Sequence, residues 1–189
     1  SIYFDTPEGR AVSENLAGIS SRTKLRLRWY GEQVRAVKAQ LECKQRESGL
    51  GSKQTHYLED PIDIEGRRRS TFVRELRRRL PGPIAVALNG YEPVQWIRYH
   101  REYMGSHDQT IRVTMDRNLM AFDQRTERIL TCRRPTPLPK LLIVELKADE
   151  QHRDAIERCL QGIALPPSKC SKFVMASSPD EAPIPSEYW

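Results

Sequence analysis

The sequence predicts an α+β protein built mainly from antiparallel β-strands, with a few helices. The first observation is that residues 23–29 and 40–46 alternate between polar and apolar side chains, with the period of two typical of strands. The second is that turn residues at 30–32 separate these segments as in a hairpin. The third is that residues 68–80 repeat their apolar side chains at helical spacing and end at a Pro-Gly-Pro sequence.

Strand patterns follow one another along most of the chain. In chain order, strands are expected at residues 2–4, 23–29, 34–46, 94–104, 110–116, 119–122, 126–132 and 141–147. Helices are expected at residues 68–80 and 153–160. The apolar run 84–88 fits a helix or a strand, because periodicity does not separate the two in a short buried segment.

The chain shows no clear boundary between domains. One domain is therefore predicted for residues 1–176, followed by a loose, Pro-rich tail at 177–189. The first residue is Ser1 rather than Met, so a cut or incomplete N-terminus is expected. The apolar runs are too short to span a membrane, and no signal peptide is evident. The four cysteines form no C-x-x-C pair, which favours reduced thiols in a cytoplasmic protein.

Charge gives the first indication of function. The chain carries 31 Lys and Arg against 25 Asp and Glu, a formal net charge of +6. A basic balance favours an anionic partner, such as a phosphate chain, a nucleotide, a nucleic acid or a membrane surface. Composition alone does not choose among these partners.

Ionic side chains of mixed sign occupy alternate positions of four predicted strands. They are Lys24, Arg26 and Arg28; Glu42, Lys44 and Arg46; Arg112 and Asp116; and Glu145 and Lys147. Two arrangements fit: a solvated sheet face with weak cross-strand ion pairs, or a closed barrel whose lumen holds the charges. The second would need a polyanion, because buried cations are costly without a partner. Arg donors match phosphate oxygens, which favours the second arrangement.

Seven segments resemble the VTC domain, the polyphosphate-polymerase branch of the triphosphate tunnel metalloenzymes in the CYTH-like superfamily. In family order they are residues 1–6 (SIYFDT), 24–31 (KLRLRWYG), 41–44 (LECK), 99–101 (YHR), 111–116 (IRVTMD), 144–147 (VELK) and 170–173 (CSKF). The resemblance implies a closed, or nearly closed, eight-stranded tunnel barrel with helices packed outside. Family members carry one further strand before the first segment, and this chain is expected to lack it.

The resemblance also implies a phosphate-binding lumen. The cations expected to bind phosphates and support catalysis are Arg26, Arg28, Lys44, Arg101, Arg112, Lys147 and Lys172. Lys24 and Arg46 lie on the same strand faces and are further phosphate-binding candidates. Glu145 is expected to be the main ligand of a Mn²⁺ or Mg²⁺ ion, with Glu42 as a second acid. Asp116 is expected to orient basic residues.

The expected reaction is metal-dependent phosphoryl transfer on a nucleoside triphosphate or polyphosphate, with polyphosphate synthesis from ATP as the first choice. Two alternatives stay open: an inorganic triphosphatase, and a non-catalytic module that binds polyphosphate or RNA. The Arg-rich segment 67–79 could contact an anionic surface, although a solvated helix face is the favoured interpretation. Aromatic residues are not clustered on one strand, which argues against a nucleic-acid partner.

Overall fold

The computed structural model describes residues 1–48, 50–161, 168 and 170–178. Its strands are β1 (Ile2–Asp5), β2 (Arg22–Arg28), β3 (Gln40–Glu47), β4 (Leu50–Tyr57), β5 (Glu92–Gly105), β6 (Ile111–Asp123) and β7 (Ile143–Ala148). Its helices are α1 (Arg10–Leu16), α2 (Arg69–Arg78), α3 (Gly82–Ala87), α4 (Arg153–Gln161) and α5 (Lys172–Ser177). The strands form one antiparallel sheet in the order β4-β3-β2-β1-β5-β6-β7, which confirms the α+β class.

The main core lies on one face of the sheet. Alternate residues of the central strands are apolar, so their side chains point to the same side and are buried there, as for Leu25 and Leu27 on β2. Helix α2 covers this face with Phe72 and Leu76, which are fully buried in the same cluster. Burying each such side chain stabilises the fold by about 1.5–3 kcal/mol, so this contact fixes α2 to the sheet.

A smaller core lies on the opposite face, beneath α1 and α5. Tyr3 of β1 stacks on Phe173 of α5, with ring centroids 5.0 Å apart. The Asp5 carboxylate accepts hydrogen bonds from the backbone N–H groups of Ala11 and Val12, at 2.6 and 3.1 Å, and so caps the start of α1. These contacts place both helices on the face that also carries the charged side chains.

The sheet is an open, curled half-barrel, so the prediction of a closed eight-stranded tunnel is wrong. Within the described residues the sheet has seven strands, and it ends at β4 on one side and at β7 on the other. Closure requires that the two edge strands pair with a fixed stagger, and no such pairing joins β4 to β7 here. The expectation that helices lie outside holds for α2, whereas α1 and α5 pack against the charged face.

Several element predictions differ from the structure for identifiable reasons. Segments 110–116 and 119–122 form one strand, β6, because a bulge at Asn118 bends the strand without ending it. Residues 126–132 were expected to be a strand but contribute a single bridge, between Ile129 and Arg68. Residues 34–39 likewise form only the bridge from Val37 to Ile62.

Three elements are absent from the sequence prediction, and one prediction is only partly covered. Strand β4 and the helices α1 and α5 were not expected, and the ambiguous run 84–88 belongs largely to the helix α3. Of the predicted tail, Ser177 ends α5, whereas residues 179–189 lie outside the described residues. The division into a domain at 1–176 and a tail therefore stays a prediction.

Candidate functional site

The charged face begins with a row of three lysines. Because β2, β3 and β4 pair in register, Lys24 lies opposite Lys44, and Lys44 lies opposite Lys53. We call these residues the lysine row. In the neighbouring row, Arg22 lies opposite Arg46. Like charges directly opposite one another destabilise a sheet, so this arrangement costs free energy except where a carboxylate lies nearby, as Glu42 does beside Lys53.

Glu42 is the carboxylate that accepts hydrogen bonds from its neighbours in the next row of the charged face. It is only 1% exposed and accepts hydrogen bonds from Arg26 Nε at 2.9 Å and from Gln40 Nε2 and Lys53 Nζ at 3.0 Å each. Arg28 Nη1 lies 3.9 Å from the same carboxylate. Burial raises the pKa of Glu42, but Arg26 and Lys53 outweigh burial and lower this pKa to about 2. Glu42 is therefore ionised, and its oxygens already have partners.

A β-bulge determines which side chains of β6 belong to the other half of the charged face. The register between β5 and β6 shifts between Arg98 and His100, and Asn118 has a φ of 55°. Asn is among the residues that tolerate this left-handed conformation. The extra residue changes which side chains of β6 face the charged side, so that Asp116 lies opposite Arg101.

Asp116 of β6 links its own strand to β5 and α5 through ion pairs. It is 2% exposed and accepts two hydrogen bonds from Arg101, from Nε at 2.6 Å and from Nη2 at 2.7 Å. Lys172 of α5 pairs with the same carboxylate. Burial raises the pKa of Asp116, but the hydrogen bonds from Arg101 and Lys172 lower it overall. Asp116 thus fixes the positions of two predicted phosphate-binding cations.

Glu145 occupies a more open position on the edge strand β7. It lies opposite Thr114, which in turn lies opposite Tyr103. Its side chain is 42% exposed, with Lys147 Nζ at 3.0 Å and Arg101 Nη2 at 3.8 Å. Burial raises the pKa of Glu145, whereas Lys147 and Arg101 lower it overall, so the carboxylate is ionised at neutral pH. The buried Thr114 hydroxyl has no hydrogen-bond partner among the described residues.

The structure brings the predicted site residues to one face of the sheet. They are Lys24, Arg26, Arg28, Glu42, Lys44 and Arg46 on β2 and β3; Arg101, Arg112, Glu145 and Lys147 on β5, β6 and β7; and Lys172 on α5. Arg112 lies directly opposite Lys147, which repeats the like-charge arrangement of the lysine row at the other edge. In the part of the chain that the structure describes, cations clearly outnumber carboxylates on this face.

The comparison with protein families covers the stretch of chain that carries these site residues. The model of the VTC domain family matches residues 1–178. The chain belongs to the VTC domain family. A comparison with curated proteins gave no match.

The match spans every predicted site residue of this VTC domain, from Lys24 to Lys172. Among its described helices, none is both long enough and apolar enough to cross a membrane. The predicted cytoplasmic location and the contact of segment 67–79 with an anionic surface stay predictions. Lys53 and Tyr103 were not predicted as site residues, and the pairing of the strands places both on the charged face.

A metal ion on this VTC domain would depend on few protein ligands. The described residues contain no group of three or more His, Cys, Asp or Glu side chains that could hold one. Mg²⁺ commonly uses one or two carboxylates together with phosphate oxygens, and the exposed oxygens of Glu145 fit that role. Glu42 fits it poorly, since Arg26, Lys53 and Gln40 occupy its carboxylate.

Lys24 is a desolvated cation of this VTC domain. Its Nζ lies 2.9 Å from Ser171 Oγ and 5.2 and 5.5 Å from the ring centroids of Tyr3 and Phe173. No carboxylate within the described ranges forms an ion pair with it. Burial, followed by the repulsion of nearby cations such as Arg26, lowers the pKa of Lys24 to about 7.

Replacing Lys24 with Met is expected to raise the free energy of unfolding by about 1–2 kcal/mol at pH 6.5, because Met keeps the packing and removes a desolvated charge. The folded-state pKa of about 7 lies below the ordinary 10.5, so the wild-type penalty is complete below pH 7 and declines as the pH rises toward 10.5. Urea unfolding at pH 6.5 and 9.5 measures this gain in the free energy of unfolding over the wild type. An equal gain at both values would contradict the charge explanation.

Proposed function

We propose that this VTC domain binds polyphosphate or the triphosphate group of a nucleotide on its charged face. We further propose that it catalyses metal-dependent phosphoryl transfer there, with ATP as donor and polyphosphate as product. The observation that carries this proposal is the pairing of like charges on adjacent strands, in the lysine row and between Arg112 and Lys147. A bound polyanion would compensate this repulsion, because its closely spaced negative charges match successive cations.

The buried carboxylates support binding by holding cations in place. Glu42 fixes Arg26, and Asp116 fixes Arg101 and Lys172, before any ligand is present. Cations that are already positioned lose little conformational entropy when phosphate binds, so more of the interaction energy contributes to affinity. The two carboxylates are thus positioning residues in this proposal, and the cations contact the phosphates.

The chemistry requires little more than positioning and charge. In transfer to a growing chain, the bond between the γ-phosphorus and the β–γ bridging oxygen breaks, and a bond to a terminal oxygen of the acceptor forms. Arg28, Arg101 and Lys172 would stabilise the charge on the transferring group. Glu145 would hold a Mn²⁺ or Mg²⁺ ion, which supplies further charge neutralisation when bound. No protein nucleophile is needed.

Hydrolysis is the second candidate, and the open half-barrel favours it. With no strand pairing between β4 and β7 in the described chain, the charged face is open along one side. Water could then replace the phosphate chain as the acceptor, which would make the domain an inorganic triphosphatase. The binding cations and Glu145 would keep the same roles in that reaction.

Incubation of the protein with ATP and Mn²⁺ tests the proposal. We expect a long-chain polyphosphate product with release of ADP, and loss of both when EDTA removes the metal. Gel electrophoresis detects the polymer, and a molybdate assay detects free phosphate. Free phosphate without polymer would establish the hydrolase instead. Neither product, with tight binding of tripolyphosphate retained, would show a non-catalytic binding domain.

A further inference from the structure

A cavity of about 510 Å³ lies beside the charged face, at the end of β2 away from the lysine row. Its lining combines aromatic and cationic side chains, including Arg28, Tyr30, Tyr99, Arg101 and Tyr103. At the lysine row, by contrast, the rings of Tyr3 and Phe173 are buried, and the open surface is lined by cationic and polar side chains. The charged face therefore has one end with exposed aromatic rings and one end that is mainly cationic.

Two tyrosines of this cavity are open to solvent. Tyr30 is 66% exposed and Tyr103 is 61% exposed. Both contact Arg28, whose guanidinium lies 4.8 Å from the Tyr30 ring centroid and whose Nη2 lies 3.5 Å from the Tyr103 hydroxyl. Arg101 lies 5.9 Å from the Tyr103 ring centroid, so two of the predicted phosphate-binding cations adjoin these rings.

A nucleoside triphosphate has the same division into an aromatic end and an anionic end. We propose that Tyr30 and Tyr103 form a subsite that stacks on the nucleobase, while the phosphates extend from Arg28 toward Arg26 and the lysine row. This inference rests on the proposed function and adds an orientation for the substrate. Stacking on aromatic rings accepts any base, so the subsite selects nucleotides over inorganic phosphate chains rather than one base over another.

The test compares ATP, GTP and inorganic tripolyphosphate on the full chain by isothermal titration calorimetry, at one fixed Mg²⁺ concentration. We expect Tyr30→Leu and Tyr103→Leu each to weaken ATP and GTP binding by about tenfold, and to leave tripolyphosphate binding within about twofold. Tyr30→Phe and Tyr103→Phe are the matched controls. They keep the ring and are expected to retain the affinity for ATP. Thermal unfolding checks that these exposed substitutions leave the fold intact.

The outcomes separate this inference from the proposed function. Equal loss of ATP and tripolyphosphate in the Leu variants would show that the tyrosines support phosphate binding, and would overturn the base subsite alone. Unchanged ATP affinity in the Leu variants would overturn it as well. Failure of the wild-type protein to bind tripolyphosphate would instead overturn the proposed function, and the base subsite with it.

Discussion

Replacing Glu145 with Gln is expected to lower metal-dependent turnover by on the order of a hundredfold or more, and to leave tripolyphosphate affinity without metal nearly unchanged. The amide keeps the size of the side chain but loses the negative charge that a hard cation requires. Glu145 is 42% exposed and its neighbours are cations. Removing its negative charge therefore does not weaken the attraction of the charged face for phosphate. Product formation measures turnover, and calorimetry measures affinity.

Glu102→Gln is the matched control for this change. Glu102 is 41% exposed and pairs with Arg117, but on β5 it alternates with Tyr103 and so faces the opposite side of the sheet. We expect this variant to keep full turnover. A loss of turnover in both variants would point to a general effect of charge. A parallel loss of affinity and turnover in Glu145→Gln would contradict its assignment as the metal ligand.

Replacing Glu42 with Gln is expected to lower the free energy of unfolding by about 3 kcal/mol or more. The change leaves Arg26 and Arg28, both largely buried, without their carboxylate. Urea unfolding at pH 7 gives the magnitude. Added tripolyphosphate is expected to recover part of the loss, because the anion replaces the missing negative charge.

Glu75→Gln is the control for Glu42→Gln, since Glu75 also pairs with two arginines, Arg67 and Arg79. These groups are more exposed, so we expect a loss below about 1 kcal/mol.

The stability of the Glu42→Gln variant at acid pH gives a second test. With a folded-state pKa of about 2 against the ordinary 4.5, Glu42 stabilises fully above pH 4.5, and this contribution disappears as the pH falls through 2. Wild type and Glu42→Gln should therefore converge in stability toward pH 2.

The elements that sequence predicted well are those with one apolar face. Strand β2 was evident because Leu25 and Leu27 alternate with cations, and both are buried in the structure. Strand β4 was missed because it lies at an edge, is exposed along nearly its whole length and has no apolar side to signal it. Helix α1 has only seven residues, and its start depends on the Asp5 cap rather than on a local pattern.

The site shows the same limit at the level of single residues. Glu42 and Glu145 occur in nearly identical contexts, Leu-Glu-Cys-Lys and Val-Glu-Leu-Lys. The resemblance to the VTC domain gave both a metal-binding role, with Glu145 as the main ligand and Glu42 as a second acid. In the structure, β3 has a neighbour on each side, which buries Glu42 among donors, whereas among the described strands β7 pairs with β6 alone, which leaves Glu145 open. Alternation identified which side chains share a face, but the position of each strand in the sheet decides what surrounds them.

The bulge at Asn118 reverses the alternation of side chains along β6. On its N-terminal side the even-numbered residues of β6 face the charged side, and on its C-terminal side the odd-numbered residues do. Loss of this single residue would turn Arg112, Thr114 and Asp116 toward the opposite side and bring Val113 and Met115 in their place. The spacing along β6 is therefore tied to the chemistry of the domain.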